Sequence, residues 1–207
     1  MNERLAAHWD KVAPRYDLAM AYAERRFFGG TRAWICSRSR GRTLEVAVGT
    51  LINLDHYPSA VELSGIDWSE SMISIAADRA RRAGRTVDLR QGDAVALPYE
   101  DESYDTVVCT FALCCIPDDK AAIAEMLRVL RPGGRLLLAD HVVSTSLPVR
   151  ALQRATELIT GPLHGEYWTR RPRRHLTTLE VPIVESQRMT YGAVERIHAR
   201  KAGPAPN

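Results

Sequence analysis

Gly49 and Asp67 are the residues of this 207-residue chain whose types and spacing first suggest chemistry. In "TLEVAVGTLINLDHYP", residues 43–58, an apolar run gives way to Gly49 and Thr50. A glycine there can take a positive φ and let the backbone approach a ligand. The amides from Thr50 onward are expected to open a helix whose positive end suits a carboxylate or phosphate. Asp67 lies 22 residues after Glu45 and ends a second apolar run, where a carboxylate can accept both hydroxyls of a ribose. Its alternative role is to cap the helix in "WSESMISIA", a job Ser69 can also do. Nicotinamide dinucleotides want G-x-G-x-x-G; here Gly49 stands alone, with Ala47 before it and Leu51 after it, which argues against such a cofactor.

These residues need elements to hold them in place. Segments at 43–48, 61–67, 86–93, 103–112 and 135–143 read as strands. Between them come a helix start at Leu51–Tyr57, a helix over 69–84 that Gly84 ends, and "DDKAAIAEMLRVL" capped by Asp118 or Asp119, with "RPGG" as a turn. Ahead of the strands, a helix over 3–13 is interrupted by Pro14, and Leu18–Ser37 forms a second helical stretch. Past residue 147 a helix over 148–160 leads into "GPLHGEYWTRRPRRH", a loop with a short helix at most, and two strands within 180–201 meet near Thr190–Gly192. Because parallel strands need crossover helices, the alternation predicts a doubly wound α/β sheet. Ligands bind at the carboxyl ends of such strands where their order reverses, and residues 47–51 lie there.

The bulk composition sets bounds on this reading. With 45% hydrophobic and 26% charged residues the chain is an ordinary globular one, and its length suits one domain. A net charge of +3 does not imply nucleic acid. The basic cluster "RRPRR", Arg170–Arg174, reads as a solvated loop, with weak contact to an acidic lipid surface as the alternative. Cys36, Cys109, Cys114 and Cys115 lack paired spacing and read as reduced, buried small hydrophobes, with no metal expected. The charged start "MNERLAAHWDKVAPRYD" and the absence of an apolar run near ~18 residues give the expectation of a cytoplasmic protein without stable membrane insertion. Monomer and homodimer both remain open.

The segments "WDKVAPRYD", "LEVAVGT", "GIDWSESM", "QGDAVALPYEDESYDTVVCTFALCCIPD", "EMLRVLRPGGRLLLADHV" and "VERIHARK" follow in an order and spacing that is similar to class I S-adenosylmethionine-dependent methyltransferases. The likeness is to the small bacterial branch that resembles menaquinone, phosphatidylethanolamine and thiol methyltransferases. It implies a Rossmann-like, mostly parallel seven-stranded sheet with a C-terminal antiparallel hairpin. Residues 1–40 would form N-terminal lid helices, 41–201 the core of a single domain over 1–207, and 202–207 a disordered tail. S-adenosylmethionine would be the cofactor and a small molecule its partner. Under the resemblance, Glu45 and the backbone of Ala47 to Thr50, Gly49 included, face the methionine part, and Asp67 holds the ribose. Trp68 and Met72 pack on the adenine, Asp93 accepts from its amino group, and Ala94 donates to it. Cys109 to Phe111 line the pocket under the sulfonium, and Tyr16 closes over it. The departure is Leu51, where family members carry glycine: it either turns into the sheet or crowds the methionine tail.

Methyl transfer asks the protein to exclude water and hold a nucleophile in line. A base also helps where the nucleophile carries a proton. His141 ends the fifth strand on the cofactor edge and is the first candidate base, followed by His164, Glu166 and Tyr167; Trp168 and Tyr167 could wall a flat substrate. Adjacent Cys114 and Cys115 invite a metalloid or thiol-relay role but read as packing. Two other functions stay open: a binding scaffold with a degenerate cofactor site, and an enzyme that keeps the cofactor for a non-methylating rearrangement.

Overall fold

The computed structural model describes residues 3–203; the tail expected over 202–207 lies outside the described residues from Pro204 onward. Five strands form the parallel part of one sheet: β1 (Arg42–Val46), β2 (Glu62–Asp67), β3 (Val87–Gln91), β4 (Tyr104–Thr110) and β5 (Leu130–His141). The closing hairpin is β6 (Ile183–Met189) and β7 (Val194–Arg200), with β7 antiparallel to both β5 and β6. Among the described residues the seven strands run β3-β2-β1-β4-β5-β7-β6, the doubly wound sheet that the alternation predicts. Strand order reverses between β1 and β4, so their outgoing chains part to opposite faces and leave a crevice.

Helices on both faces let the central strands β1, β2, β4 and β5 be largely buried. On one face α4 (Asp119–Val129) seats Ile123, Met126 and Val129 against Leu44, Val107, Leu136 and Leu138. On the other, α2 (Thr31–Cys36) and α3 (Glu70–Arg82) bring Ile35, Ala76 and Ala80 against Leu63, Val108 and Leu137. Asp118 caps α4 by accepting from the Ala121 amide at 2.9 Å, and Ser69 caps α3 through the Met72 amide at 3.1 Å. Ser69 thus fills the cap role considered for Asp67.

The structure departs from the sequence expectations in several places. Helix α1 (Glu3–Ala23) runs through Pro14 rather than ending there. The proline forfeits one amide bond to the preceding turn, which contacts with α3 offset. The second stretch, expected over Leu18–Ser37, splits into the end of α1, a π-helical turn at Glu24–Phe28, the left-handed pair Gly29 and Gly30 (φ +53° and +70°), and α2. No α-helix follows β1 among the described residues; Leu51–Tyr57 holds one 3-10 turn, Leu54–His56. The reason lies in the backbone: Ala47, Gly49 and Leu51 take φ of +55°, +55° and +59°, which a right-handed helix cannot absorb. Leu51 is fully buried among Val48, Leu54 and Tyr57, the inward of its two alternatives. "RPGG" is a bulge within β5, where pairing jumps from Tyr104–Leu130 to Thr106–Arg135. Downstream, α5 (Leu147–His164) outruns its expected end, and α6 (Pro172–Thr178) is a short helix that begins within the expected loop and runs three residues past it. No described helix is long and apolar enough to cross a membrane.

Candidate functional site

The carboxyl ends of β1, β2 and β4 open into a cleft of about 660 Å³, part of it open to solvent. Asp67 forms its floor. One carboxylate oxygen accepts from the Gly49 amide and the other from the Ser69 amide, each at 2.9 Å. Two backbone donors thus fix the carboxylate, and each oxygen keeps a second lone pair for a neighbouring hydroxyl pair. Burial pushes Asp67 up to about 6, against the pull of those amides. Gly49 leaves the approach open: a Cβ there would meet nothing closer than a Tyr16 ring carbon at 4.0 Å. Trp68 and Met72 make one wall, Asp93 and Ala94 the far end, and Phe111, Ala112, Cys115 and Ile116 part of the opposite wall. Trp9 and Tyr16 of α1 roof the cleft, their rings 6.3 Å apart edge to face.

The lid is latched at two points. Asp10 accepts from the Ser69 hydroxyl at 2.6 Å and the Ser71 amide at 3.1 Å, and the Ser69 bond holds its carboxyl below the usual range. Asp17 accepts from the Thr50 hydroxyl at 2.6 Å and pairs with Arg79, whose Nε donates to the Thr50 carbonyl at 2.8 Å.

Tyr16, Ala47, Gly49, Asp67, Trp68, Met72, Asp93, Ala94 and Phe111 meet on this cleft, as the resemblance implies. Glu45, Thr50 and Cys109 do not. Glu45 points into the α2–α3 layer, where it accepts from Asn53 and from the Tyr57 hydroxyl, and burial pushes it up to about 7. Thr50 is consumed by the Asp17 latch. Cys109 is buried in the core behind the cleft, and that burial raises its thiol well above the usual range.

The candidate bases also separate. His141 sits beside the cleft wall in an aromatic box, its ring 4.6 Å from Trp168 and 5.3 Å from both Phe28 and Phe111. Burial, then the nearby Arg32 charge, press its pKa down to about 4, so the imidazole is neutral at neutral pH. His164 instead stacks on His8 of the lid at 4.5 Å, and Tyr167 lies under the Arg170 guanidinium at 4.6 Å. Neither lines the cleft. Cys114, Asp140 and His141 carry ligand-type atoms within 4.8 Å of one another. Here they brace the wall: Asp140 accepts from the Cys114 amide at 3.0 Å and the His141 amide at 2.6 Å. Cys115 at 3.5 Å and burial keep the Cys114 thiol protonated.

Pattern reading missed Arg32. It is buried in α2, donates to Asn53 and Thr110 at 3.1 Å, pairs with Glu24 and covers the Phe111 ring at 4.8 Å. A single charge inside the short apolar run "TRAWIC" was the available signal.

Residues 44–138 match the family model described as a methyltransferase domain. The chain is 37% identical over 117 residues to a phosphatidylethanolamine N-methyltransferase of Cereibacter sphaeroides, covering 56% of this chain and 58% of that one. It is 34% identical over 158 residues to a demethylmenaquinone methyltransferase of Renibacterium salmoninarum, covering 72% and 64%. It therefore spans about three fifths of those relatives' lengths. Among solved structures, a methyltransferase-like protein from Bacillus halodurans superposes with a TM-score of 0.70 at 18% identity, covering 83% of this chain and 97% of that one. The [4+2]-cyclase SpnF gives 0.69 at 21%, covering 84% and 79%. At such identities the two structures speak for the fold.

Proposed function

We propose that the chain is a class I S-adenosylmethionine-dependent methyltransferase that transfers a methyl group from S-adenosylmethionine to a small-molecule acceptor, in keeping with its methyltransferase-domain match and its methyltransferase relatives. The observation that carries this reading is the Asp67 carboxylate, held by two amides at 2.9 Å beneath an open Gly49. That arrangement fits a ribose diol. Trp68 and Met72 supply apolar contact for a base, Asp93 an acceptor for its amino group, and Ala94 a backbone donor. When bound, S-adenosylmethionine supplies a methyl already activated by its sulfonium, so the chain's work is positioning and exclusion of water. Trp9 and Tyr16 shut out solvent from above. Neutral His141, in its box of Phe28, Phe111 and Trp168, can take a proton from an acceptor held there. Those rings suit an acceptor with an apolar body, in keeping with relatives named for phosphatidylethanolamine and demethylmenaquinone.

Calorimetric titration with S-adenosylmethionine and S-adenosylhomocysteine tests the reading. Micromolar binding is expected, weakened roughly tenfold or more in Asp67→Asn, since a diol hydrogen bond to a charged acceptor contributes about 1.5–3 kcal/mol. Absence of heat with the wild-type chain leaves a scaffold. Binding without methyl transfer to any lipid or quinol acceptor points to a non-methylating reaction.

A further inference from the structure

Helix α5 is inside out. Its inward face is polar: Gln153 accepts from the Ser144 amide at 2.8 Å and donates to the Val142 carbonyl at 2.9 Å, while Glu157 accepts from the Thr169 amide at 2.9 Å. Thr160 completes that face, donating to the Glu166 carbonyl at 3.0 Å and accepting from the Trp168 indole at 3.2 Å. The outward face is apolar, with Leu147, Leu152, Leu158, Ile159 and Leu163 between 51% and 79% exposed. Leu152, Ile159 and Leu163 repeat at helical spacing and form one stripe. Tyr191, 76% exposed, accepts through its carbonyl from Ser144 and Thr145, and neighbouring Thr190 bonds the Phe27 carbonyl. A folded chain leaves such a surface bare only where something else covers it.

The charge beside the stripe identifies what does. Arg150, Arg154, Arg174 and Arg188 all lie close enough to Arg171 to repel its charge, Arg188 also pairing with Glu195 at 3.3 Å. The one acid of α5, Glu157, faces inward. A second copy laid on α5 would bring these arginines against a helix with no outward carboxylate. We infer that this face docks on the surface of an anionic lipid bilayer, its leucines entering the headgroup boundary and its arginines meeting lipid phosphates. Of the "RRPRR" cluster, Arg170 turns inward to the Leu113 and Ile116 carbonyls and Arg173 reaches Ser186, so Arg171 and Arg174 are the two that serve.

The inference stands apart from methyl transfer and is tested without it, by flotation with vesicles of phosphatidylcholine alone or mixed with phosphatidylglycerol. The chain is expected to float with the anionic vesicles only, and less as salt rises. Arg171→Ala with Arg174→Ala should weaken binding roughly fivefold for each arginine lost. Leu152→Gln with Ile159→Gln should abolish flotation with the thermal unfolding temperature unchanged, because these side chains lie outside the core. Equal flotation on neutral vesicles, no flotation at all, or a solution dimer that the Leu152→Gln, Ile159→Gln variant dissociates would each overturn it. Cofactor titration on the same samples separates a failure here from a failure of the methyltransferase reading.

Discussion

Asp67 and Leu51 show how differently two residues of one turn can be read from sequence. The place of Asp67 in the cleft was legible because it depends on residue type and on distance from β1, both of which the chain displays directly. Leu51 offered two directions, and only the backbone, with φ +59°, turns it into the core. Replacing it with glycine removes a buried side chain but relieves a left-handed residue, so Leu51→Gly should lose about 2 kcal/mol in urea unfolding. Cofactor affinity in that variant should stay within about twofold, because the side chain does not line the cleft. A large gain in affinity would show that the leucine crowds the ligand. Arg32 escaped notice for the opposite reason: its partners Asn53 and Thr110 lie 21 and 78 residues away, and no local spacing announces them.

At the scale of elements, strands were the readable part, since each central one is an apolar run bounded by turn residues. Helices were less so. Pro14 and Pro162 look like stops, yet both helices continue because neighbouring contacts outweigh one missing amide bond. The length of α1 matters for the site, because it carries Asp10 and Asp17 to α3 on the same helix that holds Tyr16 over Gly49. Removing both latches in an Asp10→Ala, Asp17→Ala variant should raise amide exchange along α1 roughly fivefold to thirtyfold, about 1 kcal/mol for each hydrogen-bonded group. Cofactor dissociation, followed by stopped flow, should speed up in parallel. Unchanged exchange would mean that the apolar contacts of α1 alone hold it down.

For the molecule as a whole, alternation of strand and helix announced the layered sheet, but nothing local announced which carboxylates it would bury. Glu45, Asp67 and Asp140 are all pushed up by burial, to about 7, about 6 and about 6. A raised carboxyl keeps its proton in the folded chain while the unfolded chain gives it up, so the stability it contributes is complete at low pH and drains away as pH rises. The window runs from the ordinary values of 4.5 and 3.8 to about 7. Urea unfolding should therefore show lower stability at pH 7.5 than at pH 5, by on the order of 3 kcal/mol, with a shallower fall in Glu45→Gln. Asp10 and Glu125 shift the other way but lie near solvent, where screening shrinks their effect. The paired left-handed glycines at 29 and 30 carry a consequence of their own for this architecture. They separate the 21-residue lid helix and its π-helical turn from α2 by two left-handed residues, a pivot about which the lid is expected to swing as a ligand enters or leaves beneath Tyr16.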